Sequence, residues 1–367
     1  KIYFSNTYLF IKTKNNNYYA LGNNEFGQLG LGVNTTVNTP RLFYDSLSIT
    51  PTTPTTLITP TISTSITTQN LNINFNKIVI NGVYAYGFNN TINKWFRWSN
   101  TIIPKLPTDI IYQPKLDNFI DIYTESFLTF YWYYGKKKEV DGSIKWYCWG
   151  NNSNWELGLN GKSDEIEEPQ LHPYLTGIEN NDDSKFDGVG FSGKNNDENI
   201  VGIDKIAISL YYAMCRVTFT KIYNKNIKRR IWYVWGENGQ KKGLRPGSIS
   251  NPVWENAGQL ATNDIINRNR PYYNPYLDNF VKINAASRHC IGLKSSTYYG
   301  WGNTRNLNMS QSLNASKTAS GEWLYPDFIT IPTPIKQTSI DRPYIKAISG
   351  KNNFSSLFLD TGPRWMI

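Results

Sequence analysis

Five times along this chain a glycine closes an aromatic-rich stretch: Gly22 (YYALG), Gly87 (VYAYG), Gly150 (WYCWG), Gly236 (WYVWG) and Gly302 (YYGWG). The intervals are 65, 63, 86 and 66 residues. A period of that size means one supersecondary unit is repeated, each copy completing its neighbour's core. The five glycines are therefore expected at equivalent structural positions. A proline follows at a similar distance, at Pro40, Pro104, Pro169 and Pro252, with Pro332 delayed by an insertion. A repeat running end to end predicts one body over residues 1–367, not two or three unrelated domains.

Each repeat reads as four strands, A to D. The clearest copy starts at Phe280, with FVKINAAS as strand A, HCIGLK as B, Ser295-Ser296 as a tight turn, TYYGWG as C, and D near Pro332. Apolar residues alternate there with period two, the strand signature. In the second repeat NFNKIVI, Asn81-Gly82 and VYAYG predict a hairpin with Gly87 ending strand C, since Asn-Gly suits a turn with both φ positive. The last copy reads YIKAISG, NFSSLFL, a turn at Asp360–Gly362, then RWMI. The repeats fall near 1–44, 60–107, 118–173, 202–254, 279–336 and 343–367, with insertions at 45–59, 174–201, 255–278 and 304–328. Two insertions, Thr/Pro-rich after Thr50 and acidic after Glu179, are expected as surface excursions. Gly27, Gly30, Gly32 and Gly158 are expected in compact turns after strand C.

Composition supports strands. Tyr 25, Phe 17 and Trp 12 stand against Met 3 and Cys 3, so the interior is built of rings and β-branched residues. Cys148, Cys215 and Cys290 lie far apart in apolar runs and read as buried free thiols. Trp149, Trp235 and Trp301 recur at one repeat position, as core residues between repeats should. No apolar run approaches the roughly 20 residues of a membrane span, and a soluble, intracellular protein is expected.

The sequence nominates no catalytic residues, metal ligands or cofactor. His172 and His289 occupy different repeat positions, so neither has an evident partner for a metal site or triad. Gly161-Lys162-Ser163 resembles the end of a phosphate-binding loop, but Glu156 stands where that loop needs glycine. Asp183, Asp187 and Gly188 fit a solvated acidic loop better than a calcium loop, because Lys185 takes a ligand position.

ALGNNEFGQLGLGVNTTVNTP in repeat 1 and WYCWGNNSNWELGL in repeat 3 resemble the repeat of the regulator of chromosome condensation, with VWGENGQKKGL and YGWGNTRNLNM as weaker copies. The resemblance implies a β-propeller of four-stranded blades, usually seven. Six copies are visible, the last incomplete, so a seventh blade, or a strand from outside the given sequence, is expected to close the ring. Family repeats carry Gly-x-x-His where strand A turns into B. Only His289 keeps that histidine here, and it reads as a structural hydrogen-bonding residue.

Three functions follow. The first is a non-enzymatic interaction scaffold within a multi-subunit complex. The second, implied by the founding family member, is a guanine-nucleotide exchange factor for a small GTPase. The third is a chromatin or RNA binder. Lys+Arg 38 against Asp+Glu 28 leave +10. Part of that excess gathers at Lys12 and Lys14, at Lys136, Lys137 and Lys138, and at Lys225, Lys228, Arg229 and Arg230, all assigned to B-to-C turns. The last two groups are expected to form a basic lobe for an anionic partner such as RNA, DNA, acidic protein or lipid.

Overall fold

The computed structural model describes residues 2–4, 8–15, 17–25, 27–31, 35–43, 75–80, 84–98, 111–127, 130–182, 194–244, 252–286, 288–303, 316–317, 323–324, 328–335, 344–351 and 354–360. The chain divides into two compact units, Lys1–Ser143 and Ile144–Ile367.

Alternating apolar residues form antiparallel strands in both. In the first unit, repeat 1 gives β1 (Ile2–Phe4), β2 (Tyr8–Lys12), β3 (Tyr18–Gly22) and β4 (Val37–Leu42), side by side in chain order. Repeat 2 gives β5 (Lys77–Ile80), β6 (Ala85–Asn89), β7 (Lys94–Trp98) and β8 (Ile111–Tyr112) in the same order. Repeat 3 supplies the pair β9 (Phe119–Phe127) and β10 (Phe130–Lys138) to this unit, and the pair β11 (Ile144–Asn152) and β12 (Ser163–Leu171) to the second. Helix α1 (Pro173–Asn180) follows.

Repeat 4 then forms a sheet of β13 (Glu198–Ile208), β14 (Tyr212–Lys221) and β15 (Lys228–Gly236) with β18 (Arg268–Tyr273). An inserted hairpin, β16 (Gly239–Leu244) and β17 (Pro252–Ala257), precedes β18. Repeat 5 forms a sheet of β19 (Lys282–Ala285), β20 (His289–Lys294) and β21 (Thr297–Asn303) with β24 (Phe328–Pro334). Between β21 and β24 lies the short pair β22 (Ser316–Lys317) and β23 (Trp323–Leu324). Repeat 6 contributes the hairpin β25 (Tyr344–Lys351) and β26 (Phe354–Asp360).

Among the described residues the fold is all-β, made of antiparallel blades of the β-propeller kind, with one short α-helix and two single 3-10 turns. Five repeats, not six or seven, supply four strands each among the described residues. The third strand expected after Asp360 lies outside them.

Four of the five diagnostic glycines are equivalent. Gly22, Gly150, Gly236 and Gly302 have φ of 115°, 101°, 104° and 94°. At each, the register toward strand D slips by a bulge. The reason is close approach: a Cβ on Gly236 would lie 2.5 Å from the Tyr211 carbonyl oxygen, and one on Gly302 2.6 Å from that of Arg288. Gly87 is the exception. It lies in β6, the second strand, opposite Ile78, and leaves room for the Phe75 ring, 2.5 Å from where its Cβ would be. Gly292 does the same for Phe280 in repeat 5. The third strand of repeat 2 is instead KWFRW, with Trp98 opposite Ala85 as Trp235 is opposite Ala213.

Two further expectations change. Pro252 opens the second strand of the inserted hairpin, and the outer strand of repeat 4 is β18, with Pro271. The acidic excursion begins as α1, with Tyr174, Leu175 and Ile178 buried, Pro173 in its first turn, and the His172 side chain accepting from the Leu175 amide at 3.2 Å.

Repeats are joined by tryptophans on the third strand, which in repeats 2 and 4 form pairs three residues apart, Trp95 with Trp98 and Trp232 with Trp235. In a strand such residues face opposite sides, so one reaches back and the other forward. Backward, Trp98, Trp235 and Trp301 donate Nε1–H to the main-chain oxygens of Gln28 (3.1 Å), Glu156 (3.0 Å) and Gln259 (3.0 Å). Forward, Trp95 and Trp232 donate to the carbonyls of Phe119 (2.7 Å) and Phe280 (3.0 Å). The accepting loops share one build. Asn24, Asn152 and Asn238 cap the amides of Leu29, Leu157 and Leu260 at 2.8, 3.0 and 2.9 Å.

Candidate interaction surface

In repeat 4, β14 and β15 run for 10 and 9 residues, against 5 and 5 for their counterparts in repeats 1 and 2. The hairpin therefore projects further, and residues 222–227 form its tip. That turn is fixed locally: Lys221 N–H donates to the Ile227 carbonyl (3.1 Å), and the Asn224 side chain accepts from the Asn226 amide (2.9 Å).

The base of the arm is held by charge. Glu198, at the start of β13 and 1% exposed, receives a two-pronged hydrogen bond from Arg229, Nε at 2.9 Å and an Nη at 2.6 Å. Lys221 lies 2.8 Å from Asp197 and 3.4 Å from Glu198, and Arg229 also lies 3.8 Å from Asp278. The Arg229 hydrogen bonds hold the Glu198 carboxyl down at about 2.

The basic residues expected here therefore divide. Lys225 and Lys228 are exposed and Arg230 half-buried, while Arg229 is spent on Glu198. Only Lys225 lies in the turn; Lys228, Arg229 and Arg230 open β15. Lys136, Lys137 and Lys138 likewise end β10 instead of lying in the turn, and Lys137 sits over the Phe119 ring at 5.7 Å. In repeat 1, Lys12 ends β2, over the Tyr18 ring, and donates to the Asn76 carbonyl at 3.1 Å, and Lys14 is exposed in the turn beyond it.

The tip also carries apolar side chains that charge counting passes over. Ile222 is 56% exposed, Tyr223 72% and Ile227 44%. The run IYNKNIK was the available signal: three large apolar residues in a turn otherwise made of Asn and Lys.

The histidines and cysteines are withdrawn from solvent. His172 and His289 are buried, which pulls them down to about 3 and about 4, so both are neutral at physiological pH. The three cysteines are free and buried, and burial pushes each thiol up, Cys290 to about 12. Trp235 and Trp301 are buried as expected, and Trp149 is half-buried. Glu156 is buried, and Lys162 stacks over Trp155 at 3.9 Å. Asp183, Asp187 and Gly188 lie outside the described residues. No group of three His, Cys, Asp or Glu side chains among the described residues is placed to hold a metal ion. No helix among them is long and apolar enough to cross a membrane.

No protein-family model and no curated protein sequence matches the chain. Solved structures do align with it. Prp20p from Saccharomyces cerevisiae, described with its binding to Gsp1p and histones, is 15% identical at a TM-score of 0.49, over 95% of this chain and 66% of that one. Yeast RCC1 (Prp20) bound to Kap60 is 13% identical at 0.48, over 97% and 78%. Human WBSCR16 is 11% identical at 0.47, over 98% and 71%. Two of these three are yeast RCC1. This chain spans about two thirds of the length of Prp20p.

Proposed function

We propose that this chain is a non-enzymatic interaction scaffold, a subunit of a larger assembly, that engages an acidic face of a protein partner through the tip of the β14–β15 arm. The observation that carries this reading is the composition of the tip: exposed Ile222, Tyr223 and Ile227 interleaved with exposed Lys225 and Lys228. Apolar and aromatic side chains supply the desolvated centre of a protein interface, and cations at its edge steer an acidic partner. A purely electrostatic site for nucleic acid has no need of the isoleucines. The ion pairs at the base support the same reading, because an arm held still loses less entropy on binding. Lys136, Lys137 and Lys138 are proposed as a second cationic contact of the same kind.

The test compares two variants as bait in an extract of the native source. Lys225→Ser with Lys228→Ser should lose the partner mainly in rate and at low salt, whereas Ile222→Ser with Tyr223→Ser and Ile227→Ser should lose it at every salt concentration. Unchanged retention by both variants would overturn the reading. Retention that nuclease abolishes would assign the tip to RNA or DNA. Accelerated nucleotide release from a retained small GTPase would assign exchange activity instead.

A further inference from the structure

The loops that follow the third strands of repeats 1, 3 and 4 share one main-chain path. The amides of Gly27, Trp155 and Gly258 donate to the carbonyls of Asn24, Asn152 and Asn238 at 3.0, 3.3 and 3.0 Å, and their own carbonyls accept from Gly30, Gly158 and Ala261 at 2.9, 3.0 and 3.0 Å. That path needs a left-handed residue at the shared position, where φ is 70°, 63° and 75°. Glycine adopts it without strain and an aromatic residue does not. The other non-glycine residues with positive φ among the described ones are Asn, Ser and Ala, so Trp155 is the one bulky side chain held in this way.

The core gives no reason for it. Trp155 is only half-buried, although Glu156 and Leu157 beside it are buried. The loops with Gly27 and Gly258 accept the indoles of Trp98 and Trp301 as the loop with Trp155 accepts that of Trp235, so the joint between repeats needs no aromatic residue here. A strained residue that the packing does not require points to a function. Lys162, exposed, places its Nζ 3.9 Å from the centre of the Trp155 ring. Asn152 fixes the two together: its Nδ2 donates to the Gly161 carbonyl at 2.7 Å while its Oδ1 accepts from Leu157 at 3.0 Å. From the other side the Asn160 amide bonds the Asn269 carbonyl of β18 at 2.8 Å. Neither the Trp155 indole N–H nor the Lys162 ammonium has a hydrogen bond or ion pair among the described residues.

We infer that Trp155 and Lys162 form a docking site for an acidic peptide segment of a protein partner. The indole seats an apolar side chain of that segment, and the indole N–H and the Lys162 ammonium, both donors, receive its carboxylate. Aromatic anchors carry a large share of the energy of a protein interface, and a loop fixed in advance loses less entropy on binding. A chain of phosphates fits worse, because exposed Glu165 and Glu167 stand on β12 just beyond Lys162. None of these residues belongs to the β14–β15 tip, so this site and the interaction reading stand or fall separately.

Two readouts on the full chain test the inference. In thermal unfolding, Trp155→Gly should raise the midpoint by about 2 °C, because the left-handed strain is relieved. A midpoint at or below that of wild type would make Trp155 a structural residue and overturn the site. The second readout is binding to an array of short peptides, each with two carboxylates flanking one Leu, Ile or Phe, beside twins with Lys in place of each carboxylate. Wild type should bind members of the acidic set in preference to their twins. Trp155→Gly should weaken that binding about 30-fold. Lys162→Glu, a change at an exposed residue that leaves the loop intact, should shift the preference to the twins. Ile222→Ser with Tyr223→Ser, at the tip, should leave it unchanged. The site is overturned if wild type shows no acidic preference, if Trp155→Gly binds as wild type does, if Lys162→Glu keeps the acidic preference, or if only the tip variant loses binding. A single-stranded oligonucleotide that displaces the peptides also overturns it, in favour of nucleic acid.

Discussion

Replacing Glu198 by Gln removes one charge at the base of the arm and little else. Gln keeps the length and can still accept from the Asn195 amide, which bonds Glu198 at 3.1 Å, but it no longer balances Arg229. The magnitude follows from linkage. An ordinary Glu ionises near 4.3, and Glu198 is held down at about 2. Two units and a fraction correspond to about 3 kcal/mol of stabilisation by the ionised form, which is in the range for breaking a buried pair from one side. Because the folded value lies below the unfolded one, the stabilisation is complete above about pH 4.3 and is lost as pH falls through about 2. The assay is hydrogen exchange of peptides covering Glu198–Gly236 in wild type and Glu198→Gln. At pH 7 the variant should exchange about 100-fold faster, the rate equivalent of that energy. The gap should shrink as the pH is lowered towards 2.5. A gap below about threefold at pH 7, or one of equal size at pH 7 and pH 2.5, would refute the assignment of Glu198 as the anchor of the arm.

Two further outcomes are expected. Gly158→Ala places a Cβ 2.7 Å from Trp235 Cδ1 at a φ of 65°, so left-handed strain and overpacking add to a loss of roughly 2–4 kcal/mol. Gly142→Ala, at a φ of 83° with open space around it, should cost only about 1 kcal/mol; equal losses in urea unfolding of the two variants would show that the Trp235 contact is not tight. Cys148, Cys215 and Cys290 should resist a thiol-specific disulfide reagent at pH 8 in the folded chain and react fully in denaturant, because burial withholds the thiolate. Rapid reaction of any one in the native state would contradict its burial.

The strand pattern was legible where local chemistry dictates it. In repeat 5, Ser295 and Ser296 adopt φ of 46° and 66° in the turn expected of them, and the flanking strands fall where alternation puts them. An aromatic run ending in glycine arises for two reasons, a bulge at a strand end and a hollow for a neighbouring ring, and Gly87 belongs to the second. Phe-x-x-Ile at 75–78, 119–122 and 280–283, aligned with Gly87, Gly135 and Gly292, separates the two. The outer strand of repeat 4 was hidden because the inserted β16–β17 hairpin parts Asn238 from the Gln259-Leu260 it belongs with. Helix α1 has local signs that strand alternation does not read: His172 and Pro173 at its start and Asn181, left-handed, at its end. The Glu198–Arg229 pair had no local sign, since its members lie on different strands and their meeting depends on register. The candidate surface was read from charge alone, which found Lys225 and Lys228 and missed the isoleucines and the tyrosine beside them.

The indole hydrogen bonds between repeats end on main-chain oxygens, and every residue type offers one. Gln28, Glu156 and Gln259 accept in the same way whether the side chain is a neutral amide or a carboxylate. A coupling of this kind places its demand on one partner only: the donor has to stay tryptophan, while the acceptor loop is at liberty to drift so long as its path is kept. Insertions are tolerated on the same terms, as the hairpin spliced between Asn238 and Gln259 shows. Lineages built on such joints can therefore keep an architecture long after their sequences have ceased to resemble one another, and loops released from the task of holding repeats together become raw material for new partners.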